Sequence, residues 1–226
     1  MTAAQIETVE HLDRGPLSRE EIAAGVAAII PTGSYVNLGI GLPTLVADHL
    51  RPEQGVVLHT ENGMLGMGRA ALDGEIDPDL INAGKIPVIA APGASYFHQA
   101  DSFAMMRGGH LDVCVLGAFQ VAVDGDLANW HTGEPDAIPA VGGAMDLAIG
   151  AKQVIVTMPL FDRAGRAKLV LRCSYPLTGV RCVGRVHTDH ATFVLAAGRV
   201  HVEATFGITV NDLTQRVPVL GHPAWT

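Results

Sequence analysis

The amino-acid sequence predicts an α/β fold, with a single domain built on a mainly parallel central sheet flanked by helices. Short apolar runs of strand length alternate with helix-like or glycine-rich segments, a pattern typical of parallel sheets with crossover connections. No repeat with a period of roughly 20 to 50 residues and no low-complexity linker divides the 226 residues. We therefore expect an N-terminal extension at residues 1–17 and one domain at 18–226.

The first predicted elements are a helix, a strand and a second helix. The segment Ser18–Glu21 (SREE) has the pattern of a capping box, so a helix is expected to begin there and to run to about residue 30. Residues 34–38 form a short apolar run that predicts a buried strand. A glycine turn at 39–42 follows, and Pro43 begins a helix to about residue 50, because proline is well tolerated in a first helical turn.

The remaining elements continue the alternation. Further strands are predicted at Gly55–Thr60, Ile86–Ala91, Asp112–Leu116, Phe119–Val123 and Gln153–Met158. A helix is predicted from Gly143 to Gly150. Near the C-terminus, the runs 192–196 and 199–204 flank Ala197-Gly198, which predicts a β-hairpin.

Composition and charge exclude several classes of protein. The chain is 48% hydrophobic, which is too apolar for a disordered protein, but its longest mainly apolar run, Ile22–Pro31, is too short to span a membrane. A net charge of −8 argues against general nucleic-acid binding. No basic, apolar leader is visible at the N-terminus, and three cysteines without CxxC spacing suit a reducing compartment. The cytoplasm is the expected location.

Positive charge is concentrated in the last third of the chain. Residues 151–226 carry 9 cations and 4 anions, against 6 and 19 in residues 1–150. This third contains a basic cluster formed by Arg163, Arg166, Lys168, Arg172, Arg181 and Arg185. The cluster is either a solvated face or subunit contact, or it meets the phosphates of a small cofactor.

Two motifs stand where strands are predicted to end. Gly39-Ile40-Gly41 lacks the third glycine of a dinucleotide fingerprint and the Lys-Ser/Thr pair of a P-loop, so it indicates either tight packing or an anion-binding turn. Glu61-Asn62-Gly63 follows an apolar strand, at the edge where open α/β sheets bind ligands. Asn-Gly allows a sharp bend with positive φ. Glu61 is therefore a candidate nucleophile, general base or structural hydrogen-bond acceptor.

Other candidate sites are weaker. Gly93-Ala94-Ser95 is not a nucleophile elbow. His187 and His190 would share a face if they lay on a helix, but no HExxH motif or cysteine pair accompanies them, so no metal site is expected. Cys114 is most simply interpreted as a small buried hydrophobic residue.

Five blocks, taken together and in order, resemble the B subunits of the family I CoA-transferases. They are VNLGIGLPT (36–44), TENGMLGMG (60–68), DLINAGK (79–85), PGASYFHQADSFAMMRGGHLD (92–112) and GGAMDL (142–147). The resemblance covers about residues 20–190 and implies the α/β fold of that family. The blocks at 125–152 and 175–179 imply 3-oxoadipate as the acid that accepts CoA.

The resemblance implies a ping-pong reaction in which Glu61 attacks succinyl-CoA and then carries CoA as a glutamyl thioester. It assigns Gly142 and Gly143 to the oxyanion, Asn37, Gly39 and Gly41 to the acyl pocket, and Lys85 and Asn129 to CoA. CoA thioester would be a substrate, with no tightly bound cofactor. The partner would be the A subunit of the same enzyme, in an A2B2 heterotetramer.

Two alternatives stay open. Within the family, the acid that accepts CoA would instead be acetoacetate or another 3-oxo acid. Outside the enzymes, the chain is a ligand-sensing module on a similar scaffold, since fold does not dictate function. The sequence also departs from many relatives at Arg69 and at Pro159-Leu160, which affects expected loop shape and partner contacts but not the block around Glu61.

Overall fold

The computed structural model describes residues 9–12, 14–134, 136, 138–139 and 142–221. Within these residues it has the α/β composition that the sequence predicts. The strands are β1 (Glu10–Leu12), β2 (Tyr35–Leu38), β3 (Val57–Thr60), β4 (Met64–Ala70), β5 (Val88–Tyr96), β6 (Val113–Gly117), β7 (Gln120–Ala122), β8 (Leu127–Ala128), β9 (Gln153–Thr157), β10 (Leu169–Val170), β11 (Val183–His187), β12 (Ala191–Ala196) and β13 (Arg199–Phe206). The α-helices are α1 (Arg19–Ile29), α2 (Gln99–Arg107), α3 (Ala144–Gly150) and α4 (Val210–Arg216), and 3₁₀ helices lie at Leu42–His49, Pro52–Gln54 and Pro218–Gly221.

The chain divides into two compact units. The first consists of the described residues within 1–22, 118–141 and 155–226, and the second of those within 23–117 and 142–154. In the second unit the strand order is β6-β2-β3-β4-β5. Strand β2 pairs in parallel with both β3 and β6, whereas β4 pairs antiparallel with β3 and β5. The predicted parallel arrangement therefore holds for β6, β2 and β3, and the antiparallel strands β4 and β5 extend the sheet beyond β3.

The first unit contains two sets of strands. One has the order β1-β13-β12-β11-β9, and the other is a three-stranded sheet with the order β10-β7-β8. The predicted hairpin is confirmed, since β12 and β13 pair antiparallel around Ala197 and Gly198, which both adopt positive φ. Strand β1, which pairs in parallel with β13, lies in the predicted N-terminal extension and has no counterpart among the strands predicted from the sequence.

The helix predicted from the capping box is confirmed as α1. The Ser18 N–H donates to Glu21 Oε2 at 2.8 Å and the Glu21 N–H donates to Ser18 Oγ at 3.2 Å. Together these bonds satisfy two backbone donors that a helix N-terminus otherwise leaves without partners. One face of α1 is buried through Ala23, Val26 and Ala27.

Three local features of the structure differ from the predictions or are absent from them. The segment 43–50 forms a 3₁₀ helix rather than an α-helix, begun by Gly41 at φ 91°. Helix α2 is not among the predicted elements, because its exposed, partly charged surface gives it weak apolar periodicity. His187 ends strand β11 and His190 follows in a turn, so the two histidines share no helix face. In the described part of the chain, no helix is long and apolar enough to cross a bilayer.

Candidate active site

Glu61 lies at the first position after β3, at the carboxyl end of the parallel strands of the second unit. The Gly63 N–H donates to Thr60 O at 3.1 Å and the Met64 N–H donates to Thr60 Oγ1 at 3.1 Å, which closes a tight turn around Glu61. Gly63 has a φ of 112°, and a Cβ atom there would lie 2.1 Å from Phe97 O. The positive φ expected in this turn is thus found at Gly63, where only glycine fits.

A backbone N–H from a distant part of the chain meets the Glu61 carboxylate. The Gly143 N–H, just before α3, donates to Glu61 Oε2 at 3.0 Å. A Cβ atom on Gly143 would lie 2.3 Å from Oε2 and 2.6 Å from Cδ of Glu61. The carboxylate therefore occupies the space that any larger residue at 143 would need.

The surroundings of Glu61 disfavour its charged form. Burial raises the pKa of Glu61 above its ordinary value of 4.5, the hydrogen bond from Gly143 opposes this increase, and the negative charge of Asp146 adds to it. Asp146 itself pairs with Arg107 at 2.6 Å. A partly desolvated carboxylate held by a backbone donor is more reactive toward an electrophile than a fully hydrated one.

Buried polar side chains lie directly behind Glu61. The Asn37 amide donates to Nδ1 of His59 at 3.0 Å and to the His59 carbonyl at 3.1 Å. On the other side of the ring, Ser102 Oγ lies 2.9 Å from Nε2 of His59 and donates to Thr60 O at 3.0 Å. Neither His59 nor Ser102 is among the candidate site residues predicted from the sequence. The signal that points to His59 is a histidine directly after the apolar run Val56-Val57-Leu58 of the predicted strand.

The two glycines of the Gly39-Ile40-Gly41 motif have different surroundings. The Gly39 N–H donates to Val115 O at 2.8 Å, and a Cβ atom on Gly39 would lie 3.1 Å from that oxygen. Of the two predicted roles of this motif, tight packing and anion binding, Gly39 therefore shows tight packing. Gly41 is exposed, and a Cβ atom there would have open space around it within the described structure. Asn37 is buried with its amide hydrogens turned toward His59. The assignment of Asn37, Gly39 and Gly41 to an acyl pocket stays a prediction.

The other predicted site residues differ in their placement. Gly142 is exposed next to Gly143. Lys85 is also exposed, at a positive φ of 61° in the connection between β4 and β5. Asn129 belongs to the first unit, where its Oδ1 accepts a hydrogen bond from Thr178 Oγ1 at 2.6 Å. The roles of Lys85 and Asn129 toward CoA stay predictions.

Half of the basic cluster is engaged within the first unit. Arg166 pairs with Asp162 at 2.7 Å, and Arg185 pairs with Glu203 at 2.6 Å. Lys168 donates from Nζ to Ala118 O at 2.7 Å, and burial lowers its pKa. These contacts favour a structural role for the three side chains over phosphate binding.

Comparison with known proteins identifies the family. The family model described as Coenzyme A transferase matches residues 19–213. The chain is 55% identical over 198 residues to the B subunit of 3-oxoadipate CoA-transferase from Acinetobacter baylyi, covering 87% of this chain and 91% of that protein. It is 58% identical to the Pseudomonas putida protein of the same name (87% and 92% covered). The B subunit of succinyl-CoA:3-ketoacid coenzyme A transferase from Helicobacter pylori is 45% identical (88% and 95% covered).

Solved structures show the same fold at low identity. An acyl-CoA transferase apoenzyme from Escherichia coli O157:H7 superimposes with a TM-score of 0.67 at 20% identity, covering 92% of this chain and 42% of that one. The chain therefore spans less than half the length of that protein. Glutaconate coenzyme A-transferase from Acidaminococcus fermentans gives a TM-score of 0.62 at 16% identity, covering 91% of this chain and 86% of that one.

Proposed function

Since this chain belongs to the coenzyme A transferase family, we propose that it is the subunit that carries the nucleophile in the transfer of CoA from succinyl-CoA to 3-oxoadipate. The observation that carries the proposal is the Glu61 carboxylate, partly buried at the strand edge and held by the Gly143 N–H at 3.0 Å. The names of the relatives at 55% and 58% identity support 3-oxoadipate as the acceptor.

The first half-reaction transfers CoA to the enzyme. An oxygen of Glu61 attacks the thioester carbonyl of succinyl-CoA, the C–S bond breaks, and CoA leaves as a thiolate from a mixed succinyl-glutamyl anhydride. The thiolate then attacks the glutamyl carbonyl, which releases succinate and leaves a glutamyl-CoA thioester. Over the whole half-reaction one thioester and one carboxylate replace another thioester and carboxylate, so the energy of the thioester bond is conserved.

The second half-reaction repeats these steps in reverse. The 3-oxoadipate carboxylate attacks the glutamyl thioester, and CoA thiolate leaves from a new mixed anhydride. The thiolate attacks the 3-oxoadipyl carbonyl, giving 3-oxoadipyl-CoA and free Glu61. Water must be excluded throughout, because it hydrolyses an anhydride.

Backbone N–H groups of this chain would stabilise the negative charge that develops on oxygen. The Gly143 N–H already donates to the Glu61 carboxylate and stays within reach when an attack on the glutamyl carbonyl turns that oxygen into an oxyanion. We assign the Gly142 N–H to the same task. Asn37, Gly39 and Gly41 would border the acyl group, and Lys85 and Asn129 would contact CoA.

A partner would complete the enzyme. The relatives at 55% and 58% identity are named as B subunits, and we propose an A subunit as the partner in an A2B2 heterotetramer. CoA and both acids are anionic while this chain carries a net charge of −8, so part of the positive field that attracts them would come from the partner. We further propose the cytoplasm as the location, because free thiols at all three cysteines are typical of a reducing compartment.

Trapping of the thioester tests the mechanism. The complex of this chain with its partner subunit is incubated with succinyl-CoA and reduced with borohydride, which converts a glutamyl thioester to an alcohol. Mass spectrometry should locate the change at Glu61. Glu61→Gln should abolish both the mark and turnover, whereas Glu53→Gln, which replaces an exposed glutamate, should retain both. An active complex without the mark would refute the covalent mechanism, and unchanged acyl-CoA binding with no turnover in any form would favour a ligand-sensing module.

A panel of acids tests the acceptor. The second candidate is acetoacetate, favoured by the 45% identity to a succinyl-CoA:3-ketoacid coenzyme A transferase subunit. We expect the larger kcat/KM with 3-oxoadipate. A larger value with acetoacetate would reassign the acceptor and leave the role of Glu61 intact.

A further inference from the structure

Three buried polar side chains from three different elements are joined by hydrogen bonds next to the turn that carries Glu61. Asn37 comes from β2, His59 from β3 and Ser102 from α2. Their exposed fractions are 2%, 2% and 0%. Buried polar groups without partners destabilise a protein, so such a group of three persists only when its hydrogen bonds are made.

The partners determine which atom donates at every step. The Asn37 amide nitrogen also reaches the His59 carbonyl, which can only accept, so the amide nitrogen and not its oxygen faces His59. Nδ1 of His59 is therefore an acceptor, and the proton of the neutral ring resides on Nε2. The Nε2–H donates to Ser102 Oγ, and the Ser102 hydroxyl donates to Thr60 O. We call this chain of bonds, from Asn37 through His59 and Ser102 to Thr60, the buried relay.

Independent features agree with a neutral His59. Burial lowers the pKa of His59 to about 4, so the ring is uncharged at neutral pH. Phe97 stacks on its face with ring centroids 6.4 Å apart, and the Phe97 N–H donates to Gly63 O in the turn after Glu61 at 3.0 Å. The ring is thus fixed both by its two nitrogens and by its face.

We propose that His59 and Ser102 are positioning residues, which set the placement of Glu61 through the Thr60 carbonyl and the orientation of the Asn37 amide. The inference rests on the proposed function and extends it to two residues behind the nucleophile. The relay bonds to the Thr60 carbonyl, one residue before Glu61, while the Gly143 N–H bonds to the Glu61 carboxylate itself. A displacement of about 1 Å at a reacting group lowers a rate by about a hundredfold, so this restraint affects the chemical step.

A matched pair of substitutions separates positioning from stability. Ser102→Ala removes the hydroxyl that bonds Thr60 O, and Ser34→Ala removes a similarly buried hydroxyl that donates to Pro31 O at 2.7 Å, before the start of β2. Each variant is prepared as the complex with the partner subunit. The readouts are the melting temperature, the single-turnover rate at which the Glu61 thioester forms at 25 °C with saturating succinyl-CoA, and the steady-state KM for succinyl-CoA.

We expect both variants to melt a few degrees lower, but only Ser102→Ala to form the thioester about tenfold more slowly, with KM changed by less than about twofold. Ser102→Thr, which restores the hydroxyl, should recover most of the rate. Equal rates in Ser102→Ala and Ser34→Ala, after correction for the folded fraction, would overturn the proposal. A wild-type complex that forms no thioester at all would instead overturn the proposed function.

A measurement on the wild-type protein tests the relay without any substitution. In protein labelled with ¹⁵N-histidine, the His59 ring nitrogens should report a neutral ring protonated at Nε2 at pH 7. A ring protonated at Nδ1, or at both nitrogens, would overturn the assignment of donors on which the relay depends.

Discussion

Replacement of Gly143 by alanine probes the centre of the site. The added Cβ atom would lie 2.3 Å from Glu61 Oε2, whereas ordinary contact begins near 3.4 Å. The carboxylate therefore has to retreat by about 1 Å, which also breaks its 3.0 Å hydrogen bond from the Gly143 N–H. A displacement of this size lowers the rate of a positioned reaction by about a hundredfold.

The assay is the steady-state exchange of CoA between succinyl-CoA and 3-oxoadipate by the complex with the partner subunit. We expect kcat for Gly143→Ala to fall by about a hundredfold or more, with little change in melting temperature. Gly25→Ala is the matched control, because a Cβ atom at this position in α1 meets no described atom within 4 Å apart from its chain neighbours and the backbone of its own helix. If Gly143→Ala keeps activity within about threefold of the wild type, the contact between Gly143 and Glu61 is not part of the reactive geometry.

Three further predictions concern pH and stability. In the proposed mechanism Glu61 must be ionised to attack, and its pKa is raised, so the acid limb of kcat/KM should lie above pH 4.5. Asp146→Asn removes a negative charge near Glu61 and should move that limb to lower pH. A limb that stays in place or moves to higher pH would contradict this electrostatic account. Burial lowers the pKa of both His59 and His187 from 6.5 to about 4. As the pH falls below 6.5, the unfolded chain therefore binds protons before the folded one does. The free energy of unfolding should be at its full value above pH 6.5 and should decrease as the pH falls toward 4. His187→Leu, which also removes a buried Nε2 that has no hydrogen-bond partner among the described residues, should make melting temperature less sensitive to acid over that range, and an unchanged pH dependence would exclude His187 as a cause. Gly63→Ala should lower the free energy of unfolding by about 3 kcal/mol in urea titrations, because its Cβ atom would lie 2.1 Å from Phe97 O at a φ of 112°; a loss below about 1 kcal/mol would mean that the turn relaxes easily.

The site is assembled from segments that are far apart in the chain. Glu61 and Gly143 are separated by 82 positions, and Ser102 lies 43 positions from His59. Parallel strands make this possible, because their carboxyl ends meet at one edge and the connecting segments return to it. The proposed covalent catalysis would benefit from such an arrangement, since groups anchored in different elements restrict the Glu61 carboxylate in more than one direction.

Several local features are predictable from the sequence because their causes are local. The capping box at Ser18 and Glu21, the strand before Glu61 and the hairpin around Ala197-Gly198 depend on residues within a few positions of each other. Helix α2 is not predictable in this way, because packing and Ser102 fix its position and its apolar stripe is weak. The same holds for the placement of β1 beside β13, because that pairing joins residues almost 200 positions apart.

The order of residues is enough to place a carboxylate on a sharp glycine turn at the end of a strand, and the resemblance of its motifs predicts the chemistry that we propose for that carboxylate. The folded chain is needed to show which N–H group meets Glu61 and why residue 143 must be glycine. It is also needed to show that His59 and Ser102 bond to each other and to the Thr60 carbonyl next to Glu61. Hydrogen-bond partners and the space available to a Cβ atom depend on distances between chain segments, whereas turns, caps and strand patterns depend on neighbouring residues. Sequence patterns therefore reveal turns, caps and strands, but not the hydrogen-bond partners or the space around a Cβ atom.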